Sequence, residues 1–424
     1  MSEDVTFSVT ELGEEEAAIA KALAASLLEE ALIDTQQKQE ESTAARVLED
    51  VGDPVEENGS AGGLCLALSG FYDFKRFSYV EHLQPLEILE RIKAHKQKLV
   101  EMEASGVAYK LPMTLRSDKN SLFFKDQIRL GKKTKHTAYK RSPKKYARIW
   151  AVMNFLSELL QAQQKVTQRE LFYCMADSFE NQRQLNDTIQ EVVALLNVPR
   201  SSLGITTTPR GSIVGCVRLK IDGKWIDCTR VGAMGTFIPG DLELIQEVDT
   251  NARFVVVVEK DSVFQRLAED KIYNIVPCAL ITAKGIPDLA TRALLRRLQQ
   301  ANIPLLGLVD WDVGGFRVLQ TYKYGSVNMG LESFHYTVDM KLLGLSIADI
   351  ETLSFPEWCK LPLTNVDIRA IDLLLSAEVL TVYKEELQAM KDKGFKLEIE
   401  ALNSFGLSFL CEYVVKKMIQ RRYY

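Results

Sequence analysis

The stretch FVVVVEKDSVFQRLAED at residues 254–270 decides the fold class of this chain. Its five leading apolar residues predict a buried strand, and the apolar positions after them have helical spacing. The same order returns twice, in VPCALIT (276–282) before PDLATRALLRRLQQA (287–301), and in IPLLGLV (303–309) before GFRVLQTYKYG (315–325). Continuous apolar strands that alternate with helices predict an α/β domain whose parallel sheet is covered on both faces.

Carboxylates follow two of these strands. Glu259 comes directly after FVVVV, and Asp310 follows the strand at 303–309, with Asp312 two residues further on. Each alone is more commonly a helix cap or a solvated turn residue. Ligands of open parallel sheets gather beyond the carboxyl ends of the strands, where these three side chains can converge. Since Mg²⁺ prefers hard oxygen ligands, the combination predicts a magnesium site.

Three helical segments precede this domain. They begin at Ser142, at Thr167 and near residue 186, and the first has Pro at an early helical position. The segment 203–223 then alternates and contains the turn-forming motifs PRG and DG, which predicts a hairpin. Three helices followed by a hairpin is the order of a winged-helix DNA-binding domain, in which the hairpin is the wing.

Charge is distributed unevenly along the chain. The net charge is −5, but residues 1–60 hold sixteen acidic and three basic residues, which leaves a net charge of +8 for the rest. Residues 110–148 hold thirteen Lys and Arg and two Asp. Such a stretch would neutralise phosphates of double-stranded DNA with little sequence preference, although a nuclear-localisation signal or a solvated basic face remains an alternative. The candidate DNA-binding residues here are Lys132, Lys133, Lys144 and Lys145.

Composition argues against several other classes. No apolar run approaches the roughly 20 residues of a membrane span, so we expect no membrane partner. The seven Cys form no C-x-x-C pair and the four His lack zinc-ligand spacing, which favours reduced thiols in the cytosol or nucleus over a zinc module. No G-x-x-x-x-G-K-[ST] motif is present, so any use of ATP belongs to a partner.

Four ordered blocks of the chain carry a family resemblance. They are VTQRELFYCMADSFENQRQLNDTIQEVVALLNVPRSSLGI (166–205), VVVVEKDSVFQRL (255–267), ITAKGIPDLATRALLRRL (281–298) and LVDWDVGGFRVLQTYKYGS (308–326). Together they resemble the A-type polypeptide of topoisomerase VI and its relatives, the meiotic double-strand-break transesterases. The pairing of E-K-D with D-x-D-x-G is also similar to the Toprim phosphotransfer fold.

Composition, periodicity and the resemblance together predict the organisation of the whole chain. An acidic extension at 1–105, partly disordered and a candidate for partner docking, precedes a winged-helix (CAP-like) domain at 106–235. A Toprim domain with C-terminal helical elements then occupies 236–424. Within the extension we expect helices at 14–33 and 84–105 and disorder around 34–62.

The resemblance also assigns roles to individual residues. Tyr173 takes the nucleophile position and Arg169, four residues earlier on the same helical face, the supporting position. Arg210 falls where a basic wing residue is usual, and Lys284 lies in a K-G-x-P-D block that resembles part of a DNA-facing surface. The metal positions fall on Glu259, Asp310 and Asp312. Without the resemblance, a helical tyrosine such as Tyr173 is more commonly a packing residue.

The implied activity is Mg²⁺-dependent transesterification that gives a DNA double-strand break with a 5′-phosphotyrosyl link. The implied biological role of this break is to initiate meiotic recombination. The family implies a homodimer, a GHKL-type B subunit in a heterotetramer, and a nuclear location.

Three alternatives remain open: the A-type polypeptide of a topoisomerase VI that passes strands with ATP, a catalytically impaired DNA-binding protein, and a Toprim nuclease that uses water. The usual D-x-D-P-x-G is D-W-D-V-G-G here, which predicts a looser turn, and Trp311 is more similar to the meiotic branch.

Overall fold

The computed structural model of the chain describes residues 76–124, 127–377 and 380–424. The helix expected at 14–33 and the disorder expected around 34–62 lie outside these residues. The described chain forms two compact units. The helical unit contains described residues up to 115 together with 132–165 and 172–204, and the sheet unit contains 116–131, 166–171 and the remainder from 205. The strands after 205 thus belong to the sheet unit, whereas we expected the first domain to extend to 235.

Twelve α-helices are present in the described residues, and the sequence explains where several begin. In chain order they are α1 Pro85–Ala104, α2 Pro143–Gln161, α3 Gln168–Cys174, α4 Gln182–Leu196, α5 Asp261–Glu269, α6 Ile272–Ile275, α7 Leu289–Gln300, α8 Val313–Tyr324, α9 Ile347–Thr352, α10 Asn365–Ser376, α11 Lys384–Lys393 and α12 Phe409–Ile419. The side chain of Asn181 accepts a hydrogen bond from the N–H of Gln184 and caps α4. Both α1 and α2 have Pro at the first helical position, where the missing N–H costs nothing.

Seventeen short strands are described. In chain order they are β1 Lys110–Thr114, β2 Ser121–Phe124, β3 Gln127–Leu130, β4 Thr134–Ala138, β5 Val166–Thr167, β6 Ile205–Thr206, β7 Ser212–Gly215, β8 Val217–Ile221, β9 Lys224–Asp227, β10 Thr236–Phe237, β11 Ile245–Thr250, β12 Phe254–Val258, β13 Cys278–Thr282, β14 Leu305–Leu308, β15 Met340–Leu342, β16 Leu361–Pro362 and β17 Phe395–Lys396. The largest sheet has six strands in the order β10-β7-β13-β12-β14-β15.

The parallel core of the large sheet is confirmed. Strands β12, β13 and β14 correspond to the three predicted strands and pair in parallel, with β12 between the other two. Strand β15, which we did not predict, adds in parallel beside β14. Strands β7 and β10 extend the other edge in antiparallel orientation, so the sheet is mixed.

The predicted hairpin at 203–223 is only partly present. Its second turn, Asp222-Gly223, joins β8 to β9 as an antiparallel hairpin. Its first turn at 209–211 joins no paired strands, because β6 pairs in parallel with β5 while β7 enters the large sheet. All four residues of β7 are buried, and a Cβ on Gly215 would lie 2.5 Å from the Cys278 carbonyl oxygen. This tight packing explains why β7 leaves the hairpin for the sheet.

Each unit has its own apolar interior. In the helical unit α2 and α4 pack on each other, and Trp150 of α2 is fully buried. In the sheet unit the residues of β13 and β14 are all buried, as expected for parallel strands covered on both faces. The six cysteines in the described ranges form no disulfide. Among the described residues, no helix combines the length and apolar character needed to cross a bilayer.

Candidate active site

Glu259 and Asp310 meet at the carboxyl edge of the large sheet. Val258 of β12 lies beside Leu308 of β14, so the residues that follow the two strands are neighbours. The backbone N–H of Glu259 donates to the Leu308 carbonyl at 3.0 Å. The N–H of Asp310 donates to Glu259 Oε2 at 3.1 Å. The residues that follow the two strands are thus direct neighbours at this edge.

Asp310 is buried and held from two further directions. Its Oδ1 accepts a hydrogen bond from the Ile399 N–H at 2.8 Å. Its Oδ2 lies 3.0 Å from the Lys260 ammonium. That ammonium is also 3.2 Å from Glu398 and 2.8 Å from Glu400. Lys260 thus links an acidic residue of the sheet edge to a segment about 140 residues later in the chain.

Burial and charge set the protonation of these groups. Burial and the nearby Asp310 carboxylate raise the pKa of Glu259 to about 7. Burial raises the pKa of Asp310 to about 6, against the Ile399 hydrogen bond and the Lys260 charge, which act to lower it. Burial alone would lower the pKa of Lys260, but hydrogen bonds and charge from Glu400 and Asp310 raise it. Burial therefore keeps both acids from ionising as readily as they would in water.

The turn after Asp310 is fixed rather than loose. Asp312 caps α8, because its Oδ1 accepts a hydrogen bond from the Gly315 N–H at 2.7 Å. A Cβ on Gly315 would lie 2.3 Å from the Asp310 carbonyl oxygen, so the helix approaches the turn closely enough to require glycine. The turn that we expected to be looser without its proline is closely packed, since Gly315 lets the helix approach the Asp310 backbone.

Trp311, between the two aspartates, holds the C-terminal segment in place. Its backbone N–H and carbonyl exchange hydrogen bonds with Leu397 at 2.9 and 3.1 Å. Its buried indole N–H donates to Glu386 at 2.8 Å. This bridge brings Glu398 and Glu400 to Lys260. The sequence analysis did not identify Lys260, Glu398 or Glu400 as part of the site. Lys260 belongs to the E-K-D triplet and could have been considered, but no local motif distinguishes the two glutamates.

The acidic edge offers a divalent cation two suitable ligands. Glu259 and Asp310 present hard carboxylate oxygens, and burial penalises their negative charges, so a divalent cation would be stabilised beside them. Asp312 adds to the negative potential at both acids, but one of its oxygens already caps α8. Within the described ranges, no group of three acidic, His or Cys side chains has the geometry of a complete metal site. Glu259 and Asp310 therefore fit a divalent cation, and Asp312 would have to give up its cap to serve as a third direct ligand.

Arg210 and Lys284 lie together on the sheet unit. The Arg210 guanidinium donates to the Lys284 carbonyl at 3.4 Å. Lys284 has a φ of +59°, and its ammonium lies 3.3 Å from Asp261. The next residue, Gly285, donates its N–H to the Glu259 carbonyl at 2.9 Å. The K-G-x-P-D loop is thus attached directly to the acidic edge of the sheet.

Tyr173 is displayed by the short helix α3. Thr167 and Glu170 cap the first turn reciprocally, with N–H to oxygen distances of 2.7 and 3.2 Å. Leu171 is the buried residue of the helix, whereas Tyr173 is 64% exposed and Arg169 is exposed as well. This exposure is compatible with the nucleophile position that the resemblance implies.

The four candidate lysines of the basic stretch differ in their surroundings. All four are exposed. The Lys145 ammonium lies 3.4 Å from Glu191, a buried acid of α4 that also holds Lys135 at 2.7 Å. Part of the charge of this stretch is therefore compensated within the helical unit, and Lys145 is a weaker candidate for phosphate contact than its sequence position suggested.

A mixed sheet with a parallel core, a glutamate after one central strand and a D-x-D turn after its neighbour define a Toprim-type domain. The comparisons with known proteins agree. A family model for the Toprim domain of the topoisomerase 6 A-type and Spo11 proteins matches residues 254–419, and one described as type IIB DNA topoisomerase matches residues 144–205. The first range contains Glu259, Asp310 and Asp312, and the second contains Arg169 and Tyr173.

Curated relatives match between 66% and 76% of the chain. The meiotic recombination protein SPO11-2 of Oryza sativa subsp. japonica is 43% identical over 292 residues, or 66% of this chain and 75% of that protein. The A-type polypeptide of DNA topoisomerase 6 from Arabidopsis thaliana is 33% identical, over 76% of this chain and 77% of its own. The meiotic recombination protein SPO11 of Mus musculus is 33% identical, over 76% of this chain and 85% of that protein. The chain belongs to the family that comprises Spo11 and the A-type polypeptides of topoisomerase 6.

Proposed function

We propose that this chain is a DNA-cleaving transesterase that forms the double-strand breaks of meiotic recombination. The observation that carries the proposal is the placement of Glu259 and the buried Asp310 side by side at the sheet edge, where the Asp310 N–H donates to Glu259 Oε2 at 3.1 Å. The exposed Tyr173 supplies a nucleophile outside that pair. Two relatives named as meiotic recombination proteins support the meiotic role over strand passage.

The chemical step exchanges one phosphate ester for another. The Tyr173 oxygen attacks a DNA phosphorus, the bond from phosphorus to the 3′-oxygen breaks, and a 5′-phosphotyrosyl link forms. The proton lost by the tyrosine is balanced by the one gained by the released 3′-hydroxyl. The exposed Arg169 on the same helix would stabilise the phenolate and hold the phosphate through its guanidinium. The number of phosphoester bonds is unchanged, so no external energy source is needed.

Glu259 and Asp310 would hold Mg²⁺, with Asp312 as an additional ligand or as a nearby negative charge. When bound there, the cation supplies positive charge to the phosphoryl oxygens and to the leaving oxygen. Lys260 and the Ile399 N–H orient Asp310 for this role through the contacts at its two oxygens. The backbone of Asp310 orients Glu259 in the same way.

Each unit contributes its own candidate DNA contacts. Helices α2, α3 and α4 form a DNA-binding module of the winged-helix type, and the exposed lysines Lys132, Lys133 and Lys144 contact phosphates. On the sheet unit, Arg210 and Lys284 make further phosphate contacts. The proposed organisation has an N-terminal extension at 1–105 for partner docking, a DNA-binding domain at 106–235 and a Toprim domain at 236–424.

The proposed assembly follows from the chemistry of a two-strand break. Each strand needs its own nucleophile, so two copies of the chain act together as a homodimer, and the tyrosine of one copy serves the carboxylates of the other. A B-type GHKL ATPase-like subunit completes a heterotetramer. The substrate is chromosomal DNA, so the site of action is the nucleus.

The proposal is tested by trapping the protein–DNA link. The chain and its B-type partner are incubated with 5′- and 3′-labelled duplex DNA and Mg²⁺, denatured, and examined for protein attached to 5′ ends. We expect adducts with the wild type and none with Tyr173→Phe, because phenylalanine lacks the attacking oxygen.

The control is Tyr139→Phe, which removes a hydroxyl from a partly buried tyrosine of the same chain and should leave the adducts intact. Adducts that persist in Tyr173→Phe would refute the nucleophile assignment. Free 5′-phosphates without adducts would instead identify a nuclease that uses water. Resealing of the break with ATP would favour the topoisomerase alternative.

A further inference from the structure

An exposed phenylalanine stands at the edge of the large sheet, near the acidic pair. Phe237 of β10 is 63% exposed, although neighbouring strands of this sheet are buried. The Lys284 ammonium lies over its ring, 5.8 Å from the centroid. An exposed ring with a cation beside it can contact both an apolar and an anionic part of a partner.

The strand register relates Phe237 to the acidic pair. Phe237 lies opposite Ser212 of β7, Ser212 opposite Thr282 of β13, and Thr282 opposite Val258 of β12. Phe237 is therefore in the same row as the residue before Glu259, three strands away. Adjacent strands are about 4.8 Å apart, which gives a separation of about 14 Å. Since one base pair rises about 3.4 Å, this span corresponds to roughly four base pairs of DNA.

A second basic residue, Arg210, is connected to the strand of Phe237 and to Lys284. The Ile238 N–H, next to Phe237, donates to the Gly211 carbonyl at 2.9 Å and so brings Arg210 close to the ring. A Cβ on Gly211 would lie 2.2 Å from Thr291 Oγ1, so this approach requires glycine. Arg210 in turn donates to the carbonyl of Lys284. The cations Arg210 and Lys284 thus belong to the network of contacts beside Phe237, together with the carboxylates Asp261 and Asp288.

We propose that Phe237 is a DNA-contacting residue that helps to decide where the break is made. Its ring packs against base and sugar edges in the minor groove about four base pairs from the broken phosphate, while Arg210 and Lys284 hold the intervening phosphates. Apolar side chains flanked by arginine or lysine are a common combination at the minor groove. Their affinity for a site depends on its A·T content and on how easily its base pairs unstack. The inference rests on the proposed function only for the position of the broken phosphate.

The first test measures DNA binding without cleavage. Full-length chain with EDTA is titrated against a fluorescein-labelled duplex of about 40 base pairs and mixed sequence at several salt concentrations. Phe237→Ala should weaken binding about fivefold without changing the slope of affinity against salt, because the ring carries no charge. Lys284→Gln should reduce that slope by about one, as expected for a lost phosphate contact. Phe237→Trp should restore binding.

The matched control is Trp358→Ala, since Trp358 is an aromatic residue of the same unit and is 75% exposed. It should bind DNA like the wild type. Circular dichroism of each variant checks that the chain is folded, and the Trp rescue separates loss of the ring from loss of structure.

The second test maps the break positions on a long duplex with the partner and Mg²⁺. Phe237→Ala should change base preference about four base pairs from the break and leave the total number of adducts within about twofold. Wild-type affinity together with an unchanged break map would overturn the inference. So would a Phe237→Ala variant that keeps its DNA affinity but becomes monomeric in sedimentation, since the ring would then be a contact between copies of the chain. Binding in EDTA does not depend on Tyr173, so a failure of the proposed transesterase leaves this test intact.

Discussion

The acidic edge of the sheet and the helix that displays Tyr173 are built in opposite ways. Asp310 is 5% exposed and contacts a lysine, a backbone N–H and a neighbouring turn. Tyr173 is 64% exposed on a helix of seven residues. The difference is physical: carboxylates that gather a cation need a rigid, partly dry site, whereas a nucleophile that attacks a large duplex must protrude toward it. Substitutions near the acids should therefore disturb both structure and chemistry, and those on exposed residues chemistry alone.

The largest effect of this kind is expected at Gly315. In Gly315→Ala the new Cβ would meet the Asp310 carbonyl oxygen at 2.3 Å, so the turn must move and both aspartates with it. We expect adduct formation to fall more than about a hundredfold, because misplacement by about 1 Å costs that much.

Gly314→Ala is the matched control. Its Cβ would lie 3.1 Å from a side-chain oxygen of Asp312 and would meet no backbone atom this closely. It should retain activity within about tenfold. Equal losses in both variants would contradict the idea that backbone packing fixes the turn.

A smaller effect is expected at Lys260. Lys260→Met keeps the aliphatic length but removes the contacts to Asp310, Glu398 and Glu400. Adduct formation should fall about ten- to hundredfold, as for other groups that orient a metal ligand. Lys260→Arg should recover part of the loss. Full activity in Lys260→Met, measured by the trapping assay, would show that Asp310 is oriented without the lysine.

A third prediction concerns how the free energy of unfolding depends on pH, measured in EDTA so that no metal is bound. The pKa of Glu259 rises from 4.5 to about 7 in the folded chain. The folded chain therefore binds more protons than the unfolded chain between these values, and its stability falls as pH rises through this window. Above about pH 7 the loss is complete. Glu259→Gln should remove much of this slope and stabilise the chain at pH 8 by about 1–2 kcal/mol, less than the full shift because Glu259 is partly exposed.

Urea denaturation at pH 5.5 and pH 8 measures this difference for the wild type, for Glu259→Gln and for the exposed control Glu180→Gln. A slope of opposite sign in the wild type would mean that the two carboxylates are better compensated than their contacts indicate. The control should follow the wild type at both pH values.

The smallest effects are expected among the exposed lysines. Lys132→Gln should weaken binding to duplex DNA about twofold to threefold and reduce the salt slope by close to one. Lys145→Gln should change the DNA affinity and the salt slope less than Lys132→Gln does, because Glu191 already lies 3.4 Å from the Lys145 ammonium. Fluorescence anisotropy at several salt concentrations compares the two. A larger loss of DNA affinity in Lys145→Gln than in Lys132→Gln would indicate that the Lys145 ammonium leaves Glu191 when DNA binds.

The sequence predicted the parallel strands because each is a continuous apolar run, which is typical only of strands buried on both faces. It predicted Glu259 and Asp310 because residues that follow adjacent parallel strands must share one edge. It failed for β7, whose pairing in the large sheet is decided by residues more than sixty positions away. It also failed for the hairpin turn at 209–211, since a turn motif fixes local direction and not the partner strand.

The sequence by itself determined which residue types stand at the ends of which strands, because that information is local. Only the tertiary structure decided that Lys260 joins Asp310 to Glu398 and Glu400, since contacts across about 140 residues depend on how the C-terminal segment packs on Trp311. Only the tertiary structure, likewise, left Tyr173 and Phe237 exposed. Hydrophobic periodicity reports which residues can be buried, and the packing of the whole chain determines which of them are.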